Sequence, residues 1–546
     1  MVIRRLVLVV AALAMIASAC SDDDAATTST ADTTTTTTTE ASTTTRAADA
    51  AGERYPDAVR EAYLLGCTEE AGEDLCVCTI EEFEDRLSLV EFLELDESAP
   101  IIAEVSSACE AGVATGTTTT TTTTVPTTTG TTEPRAPLSL AEVVELSIVD
   151  LEAFWAEILP VSYGIDYEPI GRVVAYRPST GNLPECGGEP IPPEVAPDNA
   201  FYCNPDDYVA WDTEGLFPDL YLEFGDFTVA LVLAHEWGHA VQNRVDEVGP
   251  TIQRELQADC FAGAWTGAID RGEREALSLD EGDIEEAMAG YLLFRDPPGT
   301  TPDDEQAHGS AFDRVNAFRF GVLNGVDGCR EASNDFPVAF IPLTQQDVQT
   351  GGDLPFADTA PLLVESLEAY WTEAYPDLFG GEWTPVSATI PYLPSTGDLP
   401  TCDGELLQAS FYANNVFYCP GDDYVAWDDE TLFPALYQSI GDFAIGQLLA
   451  HEWATAAQDR AGLPTEGLTA ELQADCLSGA FTAAVVPAPN PTPILLSAGD
   501  LDEAVAAFIQ FGRDPELIDL VGGSAFERFD AFQAGFFNGP ASCIEG

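Results

Sequence analysis

A long internal repeat constrains the fold of this chain more than any other feature. The run Asp206-Asp207-Tyr208-Val209-Ala210-Trp211-Asp212 returns unchanged 216 residues later, at Asp422–Asp428. Repeats that build solenoids and propellers have periods of about 20–50 residues, so this one is too long for such an array. We therefore predict a duplicated domain, with a first copy at 136–335 and a second copy at 345–546.

Each copy has the sequence pattern of an α+β fold. Short runs rich in β-branched and aromatic residues predict strands at Arg172–Tyr176, Phe201–Cys203 and Tyr208–Trp211. Longer segments predict helices, among them one near Ile284–Phe294 and one near Phe312–Leu323. We expect each copy to contain a small sheet followed by several helices.

A histidine pair in the first copy indicates a metal site. His235-Glu236-Trp237-Gly238-His239 follows the apolar run Phe227–Leu233, which predicts a buried helix. Because four residues make about one helical turn, His235 and His239 share a face and suit two corners of a zinc tetrahedron. Glu236 then lies beside the metal, where a general base for a bound water is needed.

A third ligand and its support follow on the next predicted helix. Glu255 and Asp259, within Thr251–Gly263, are again one turn apart. Glu255 is placed to reach the metal, and Asp259 to accept the second ring N–H of a ligating histidine. The alternative is a salt-bridged helix face without metal. H-E-x-x-H followed at short range by E-x-x-x-D favours the metal site.

These motifs together resemble the neutral zinc metallopeptidase family of bacteria, over residues from about 140 to 330. The residues that carry the resemblance are Phe201–Cys203, Gly225–Phe227, His235–Gln242, Glu255–Cys260, Gly282–Ile284 and His308–Ser310. The resemblance implies a zincin-like peptidase with His235, His239 and Glu255 as zinc ligands and Glu236 as the base. It implies a peptide or protein substrate without specifying it. By analogy with zincins, one of the predicted strands pairs with extended substrate.

The second copy keeps the frame of this site but lacks one ligand. His451, Glu452, Glu471 and Asp475 stand at the corresponding positions, whereas Thr455 replaces the second histidine. Two potential ligands, His451 and Glu471, are too few for a stable zinc site. We therefore predict one zinc ion per chain, bound by the first copy, and a degenerate metallopeptidase-like second copy.

The repeat also singles out His308. His308-Gly309-Ser310 in the first copy corresponds to Gly522-Gly523-Ser524 in the second. Of the four histidines in the chain, the two without a counterpart in the second copy are His239 and His308, which suggests that both serve one site. His308 is a candidate donor to the oxyanion of peptide hydrolysis. The alternative is a loop histidine that caps the helix near Phe312.

The N-terminus has the features of an exported lipoprotein. Two arginines precede the apolar run Leu6–Ile16, which is too short to span a membrane in a mature protein. We predict a signal peptide at 1–19 and a lipid on Cys20, which anchors the protein at the outer face of the cytoplasmic membrane. Ala17-Ser18-Ala19 is also an ordinary cleavage site, and this leaves an unanchored form as the alternative.

Cysteine usage fits an extracytoplasmic protein. Of the 13 cysteines, Cys20 stands alone and the others form three groups of four. Small exported domains depend on disulfides, so we predict pairing within each group. The groups are Cys67, Cys76, Cys78 and Cys109; Cys186, Cys203, Cys260 and Cys329; and Cys402, Cys419, Cys476 and Cys543. In the two copies we favour 186–203 with 260–329, and 402–419 with 476–543.

Two polar linkers separate a small domain from the rest. A Thr/Asp-rich linker at 20–50 and a Thr-rich linker at 115–135 have too few apolar residues to form a core. Between them, 51–114 predicts a small disulfide-rich helical domain with four cysteines. A metal site at Cys76-Val77-Cys78 is the alternative for two of these cysteines.

Charge limits the classes of partner. The formal net charge is −74, which argues against nucleic acid and against an anionic lipid surface. The leading hypothesis is a zinc endopeptidase, anchored in the cell envelope, that hydrolyses peptides or envelope proteins. The alternative is a catalytically silent envelope binding or scaffold protein built from peptidase-like domains.

Overall fold

The computed structural model describes residues 138–274, 276–280, 282–486, 494–512 and 523–544. The predicted signal peptide, Cys20, both linkers and the four-cysteine domain lie outside these ranges. The described residues from Leu140 onwards belong to one compact unit. Within the described ranges, no helix combines the length and the apolar composition that crossing a membrane requires.

The first half of the fold, residues 136–335, contains six helices and five short strands among its described residues. The helices are α1 (Leu140–Ser162), α2 (Leu216–Glu223), α3 (Asp226–Arg244), α4 (Thr251–Asp270), α5 (Asp283–Leu293) and α6 (Ala311–Glu331). The strands are β1 (Arg172–Tyr176), β2 (Glu185–Cys186), β3 (Glu189–Pro190), β4 (Ala200–Cys203) and β5 (Tyr208–Asp212).

The second half, residues 345–546, repeats most of this order. Its helices are α7 (Asp347–Thr350), α8 (Phe356–Phe379), α9 (Ala409–Tyr412), α10 (Leu432–Ser439), α11 (Asp442–Ala461), α12 (Leu468–Val485), α13 (Asp500–Gly512) and α14 (Ala525–Asn538). Its strands are β6 (Ala388–Tyr392), β7 (Val416–Cys419) and β8 (Tyr424–Asp428). Two differences precede β7: the β2–β3 hairpin of the first half is reduced to one bridge between Cys402 and Glu405, and the short helix α9 follows it.

The two halves have three-stranded sheets of the same order and register. In the first half, β5 lies in the centre, parallel to β1 and antiparallel to β4. In the second, β8 lies between β6 and β7 in the same way. The central strands are buried along their whole length because both faces are covered. These mixed sheets among many helices confirm the predicted α+β class.

The helix with the histidine pair lies in the middle of the first half. Most of α3 is buried, because apolar side chains occupy nearly all positions from Phe227 to Leu233. It approaches α4 closely at Gly238, where an added Cβ would lie 2.9 Å from the Cα of Ala258. The absence of a side chain at Gly238 therefore lets the two motif helices come together.

Helices α4 and α6 form a second close crossing. A side chain on Gly263 or Gly321 would overlap the backbone of the facing helix. The disulfide between Cys260 and Cys329 joins the same two helices. Through this crossing, α6 is fixed against the helix that carries Glu255 and Asp259.

The described cysteines pair as the sequence predicts. The four bonds are Cys186–Cys203, Cys260–Cys329, Cys402–Cys419 and Cys476–Cys543. Each bond lies within one half, which confirms the predicted grouping for these eight cysteines. The group Cys67, Cys76, Cys78 and Cys109 lies outside the described residues.

The two halves pack on each other through α5 and α6 of the first and α13 and α14 of the second. The ring of Phe312, which is fully buried, lies 4.9 Å from the ring of Phe536. Asp502 on α13 accepts a hydrogen bond from the backbone N–H of Phe312 at 3.0 Å and lies 3.3 Å from Arg295. The second half therefore contacts the chain on both sides of the 296–310 loop.

Candidate metal centre

Helices α3 and α4 bring the three predicted ligands together. Nε2 of His235 lies 3.0 Å from Nε2 of His239, and Oε2 of Glu255 lies 3.3 and 3.4 Å from these two nitrogens. Ligand atoms about 2.0–2.1 Å from a tetrahedral zinc ion are roughly 3.3–3.4 Å apart. The triangle therefore has the dimensions of three corners of a zinc site, and the residues present fit the metal.

A hydrogen bond from Nδ1 of each imidazole determines that Nε2 carries the lone pair. Nδ1 of His235 donates to Asp259 at 2.7 Å, and Nδ1 of His239 donates to Oε1 of Gln242 at 3.0 Å. The amide N–H groups of Gln242 donate to the Arg254 carbonyl and to Gln257, so its oxygen faces the histidine. In the neutral rings both Nε2 atoms then carry lone pairs, which converge with the Glu255 carboxylate.

Electrostatics around the triangle favour a cation. Burial lowers the pKa of His235, but the carboxylates of Asp259 and Glu255 together raise it by more, and the result is a pKa of about 10. Burial raises the pKa of Glu255, yet its two histidine neighbours lower that pKa well below the ordinary glutamate value. Without metal, the raised pKa of His235 favours a protonated ring beside an ionised Glu255, and a divalent cation would supply the same positive charge.

An arginine that the sequence analysis missed holds Asp259 in place. Nε and Nη2 of Arg314 donate to the two carboxylate oxygens of Asp259 at 2.8 and 2.9 Å. Nη1 donates to the Phe294 carbonyl at 2.8 Å. Burial raises the pKa of Asp259, but Arg314 and His235 together lower it by more, so the carboxylate stays ionised. A matching arginine, Arg528, stands 214 residues later, and this recurrence was the available signal.

A cavity of about 450 Å³ opens beside the triangle. Glu236 lies in its wall with 7% of its surface exposed. Among the described residues, no hydrogen bond reaches its carboxylate. Glu236 therefore faces the space where a water and a substrate carbonyl would lie next to a bound metal, as a general base must.

Strand β4 presents an open edge to this cavity. Asp212 N–H donates to Asn199 O, which makes these two residues a hydrogen-bonded pair next to the β4–β5 ladder. Because such pairs alternate in antiparallel sheets, the backbone groups of Ala200 and Tyr202 point away from β5. Both residues line the cavity. An extended peptide there would find backbone donors and acceptors on a free strand edge.

His308 lies at the wall of the same cavity, but it does not contact the triangle closely enough to form a hydrogen bond. Its side chain is 52% exposed, and its Nδ1 lies 3.4 Å from Asp296. Asp296 also accepts hydrogen bonds from the backbone N–H groups of His308 and Gly309. Ser310, not His308, caps α6, because its hydroxyl accepts from Asp313 N–H. The helix-capping alternative for His308 is therefore wrong.

The second half has the same frame around an incomplete ligand set. His451 lies 2.8 Å from Asp475 and 3.0 Å from Glu471. The hydroxyl of Thr455 donates to the His451 carbonyl on its own helix. Glu452 accepts a hydrogen bond of 2.7 Å from Tyr418 N–H on strand β7. The glutamate thus occupies the strand edge that is open in the first half.

Comparison with known sequences supports a zinc peptidase for the first half. Residues 110–330 match the family described as "Putative neutral zinc metallopeptidase". The match covers less than half of the chain and ends before the second half begins.

The curated relatives have no assigned activity. An uncharacterized protein of Mycobacterium tuberculosis is 31% identical over 202 residues, which are 32% of this chain and 64% of the relative. An uncharacterized protein of Escherichia coli K12 is 29% identical over 196 residues, which are 30% of this chain and 64% of the relative. The chain thus spans slightly less than two thirds of the length of these relatives. No solved structure matches it.

Proposed function

We propose that the first half is a zinc-dependent peptidase and that the second half is a duplicated copy without the metal site. The observation that carries the proposal is the convergence of two imidazole lone pairs and one carboxylate on a single point. Each imidazole is held there by an acceptor on its other nitrogen. Three potential protein ligands beside an open cavity are typical of catalytic rather than structural zinc sites.

The proposed roles follow from position. His235, His239 and Glu255 hold the metal, and Asp259 with Arg314 keeps the His235 ring oriented. A bound zinc ion lowers the pKa of a coordinated water and polarises the scissile carbonyl. Glu236 takes a proton from the attacking water and returns it to the amine as the C–N bond breaks.

Two further parts of the cavity suit a peptide substrate. The free backbone groups of Ala200 and Tyr202 on β4 pair with an extended chain, so that the scissile carbonyl lies over Glu236. His308 approaches the developing oxyanion from the opposite wall and donates a hydrogen bond to it. Asp296, whose carboxylate lies 3.4 Å from Nδ1 of His308, helps to orient the ring.

We also propose that the protein acts outside the cytoplasm. The disulfides of both halves fit an oxidising compartment. The run before Cys20 fits export with lipid attachment, which would tether the peptidase to the outer face of the cytoplasmic membrane. The intact mass of the membrane-bound protein tests this: it is expected to correspond to an acylated chain that starts at Cys20.

Cleavage of a mixed peptide library by purified protein tests the activity. We expect cleavage that stops when a chelator removes zinc and returns when zinc is added. Glu236→Gln is expected to keep zinc and to lower the cleavage rate at least about 100-fold, because it removes the base alone. Glu452→Gln is the matched control and is expected to cleave like the parent. A zinc-loaded parent without peptide cleavage would instead favour the silent binding protein.

A further inference from the structure

Two arginine side chains line the cavity of the first half, and they differ in their partners. Arg314 is held by Asp259 through two hydrogen bonds. Arg254 has no ion pair and no side-chain hydrogen bond among the described residues, and its Nε is buried without an acceptor. Arg254 directly precedes the proposed ligand Glu255, and both residues line the cavity.

The lack of a partner for Arg254 is notable in a chain with this composition. There are 94 acidic residues against 20 basic ones, so carboxylates are abundant as partners. Glu255, the nearest in sequence, is turned towards His235 and His239 instead. An arginine fork matches a carboxylate with two parallel hydrogen bonds. A ligand carboxylate in the cavity would therefore give Arg254 the acceptor that the protein does not provide.

The second half indicates that the guanidinium is not needed for the fold. Ala470 stands 216 residues after Arg254, and each residue directly precedes the E-x-x-x-D motif of its own half. The Ala470 carbonyl accepts a hydrogen bond from Gln458, just as the Arg254 carbonyl accepts one from Gln242. The backbone arrangement is thus the same without the arginine. The side chain is present where the ligand triangle is complete and absent where it is not.

We infer that Arg254 binds a substrate carboxylate, so that the first half selects peptides with an acidic side chain or a free C-terminus close to the scissile bond. The inference rests on the proposed peptidase function and specifies its substrate class. Both sources present the same group to the guanidinium, and they differ in where the carboxylate lies on the peptide. Arg254 acts on substrate binding, while the metal ligands and Glu236 are untouched.

Three matched peptides separate the two sources. One carries a single glutamate and an amidated C-terminus, the second has glutamine instead, and the third has glutamine and a free C-terminus. We expect the parent to cleave one of the two carboxylate peptides about 10–100-fold better than the neutral one, because hydrogen bonds to charged groups are stronger than those between neutral groups. Arg254→Gln should remove this preference without changing the zinc content.

Arg254→Lys keeps the charge without the fork and should recover only part of the preference. Equal cleavage of all three peptides by the parent, or an equal loss for all three in Arg254→Gln, would overturn the inference and leave the peptidase proposal standing.

A binding experiment tests Arg254 without catalysis. Titration calorimetry of Glu236→Gln with the same peptides should give tighter binding of the preferred carboxylate peptide, by about 10–100-fold. Adding Arg254→Gln to this variant should abolish the difference. If no peptide is cleaved at all but this difference is found, the peptidase proposal fails and the carboxylate site remains. Equal affinities in the titration would refute the site by themselves.

Discussion

The two halves of this protein share their sheet order and disulfides but differ in side chains at the site. Both keep the sheet order, the two disulfides and an arginine that clamps an aspartate behind a histidine. Three residues that line the cavity of the first half, His239, Arg254 and His308, have Thr455, Ala470 and Gly522 as their counterparts in the sequence. The comparison indicates that the frame folds without the chemistry, so the retained buried polar groups are part of the fold itself.

The glutamate next to the first histidine shows the difference most clearly. Glu236 lies in the cavity wall with no hydrogen bond among the described residues. Glu452 accepts the N–H of Tyr418 and so blocks the edge of β7. A strand edge that is open in one half is closed in the other by the residue that would serve as the base. In the second half, one backbone donor of the strand edge is therefore already used, and a threonine stands where the first half has His239.

Exchanging the residues at the second histidine position, His239 and Thr455, between the halves should have the largest effect on zinc binding. His239→Thr gives the first half the residue that the second half has. Because it removes a proposed zinc ligand, it is expected to lower zinc affinity more than about 100-fold, whereas losing a residue that only supports a ligand typically costs about 10–100-fold. Thr455→His is expected to add a second, weaker zinc ion, because His451 and Glu471 are already 3.0 Å apart. Isothermal titration with zinc measures both, and unchanged affinity in His239→Thr would reject the ligand assignment.

Replacing the aspartate that accepts the Nδ1 hydrogen bond of His235 or of His451 should separate effects on zinc affinity from effects on folding stability. Asp259→Asn and Asp475→Asn each leave a buried arginine without its carboxylate, so both should lose about 3–5 kcal/mol of stability. Only Asp259→Asn should also weaken zinc binding, by about 10–100-fold. Urea unfolding combined with zinc titration compares the two variants. A loss of zinc affinity in Asp475→Asn would contradict the assignment of the metal to the first half.

The partly buried Glu452 should make the second half less stable as the pH rises. Burial raises the pKa of Glu452 from 4.5 to about 7. The folded state therefore holds its proton between these two values while the unfolded state releases it, and stability falls across this window. Glu452→Gln should be more stable than the parent at pH 8, by up to about 3 kcal/mol, with no advantage below pH 4.5. Thermal unfolding at several pH values measures the difference, and an equal gain at all pH values would refute this cause.

The contact between the halves should make a smaller contribution. Asp502→Ala leaves the Phe312 N–H and Arg295 without their acceptor at a buried position, which should cost about 2 kcal/mol. Asp530→Ala breaks the ion pair with Arg319 across the same interface, but Asp530 is 41% exposed and should cost less than about 1 kcal/mol. Denaturant unfolding of both variants ranks the two contacts, and the reverse order would contradict the role of Asp502.

Local sequence patterns predicted the helices and strands that carry the site better than they predicted Arg314, the residue that holds Asp259 in place. The spacing of His235 and His239 placed both on one helix face, and the aromatic runs placed β4 and β5 within one residue of their ends. Arg314 was missed because it lies 55 residues beyond Asp259, and a single arginine has no periodicity that indicates a buried partner. The roles assigned to Glu236 and His308 remain predictions.

The packing between the halves was not predictable for a related reason. Phe312 and Asp502 are 190 residues apart, and neither belongs to a repeated pattern that marks an interface. Helical periodicity marks a buried face on α6 but does not identify the helix that covers it. The repeat itself predicted the disulfides correctly, because each copy had to contain its own complete set.

The metal content of the purified protein tests the central difference between the halves most directly. Elemental analysis should find one zinc ion per chain in the parent, none in His235→Ala and one in His451→Ala. These two substitutions remove the same histidine from the same frame, so any general effect on folding should be shared. Two zinc ions in the parent, or a loss of zinc in His451→Ala with none in His235→Ala, would contradict a single metal centre in the first half.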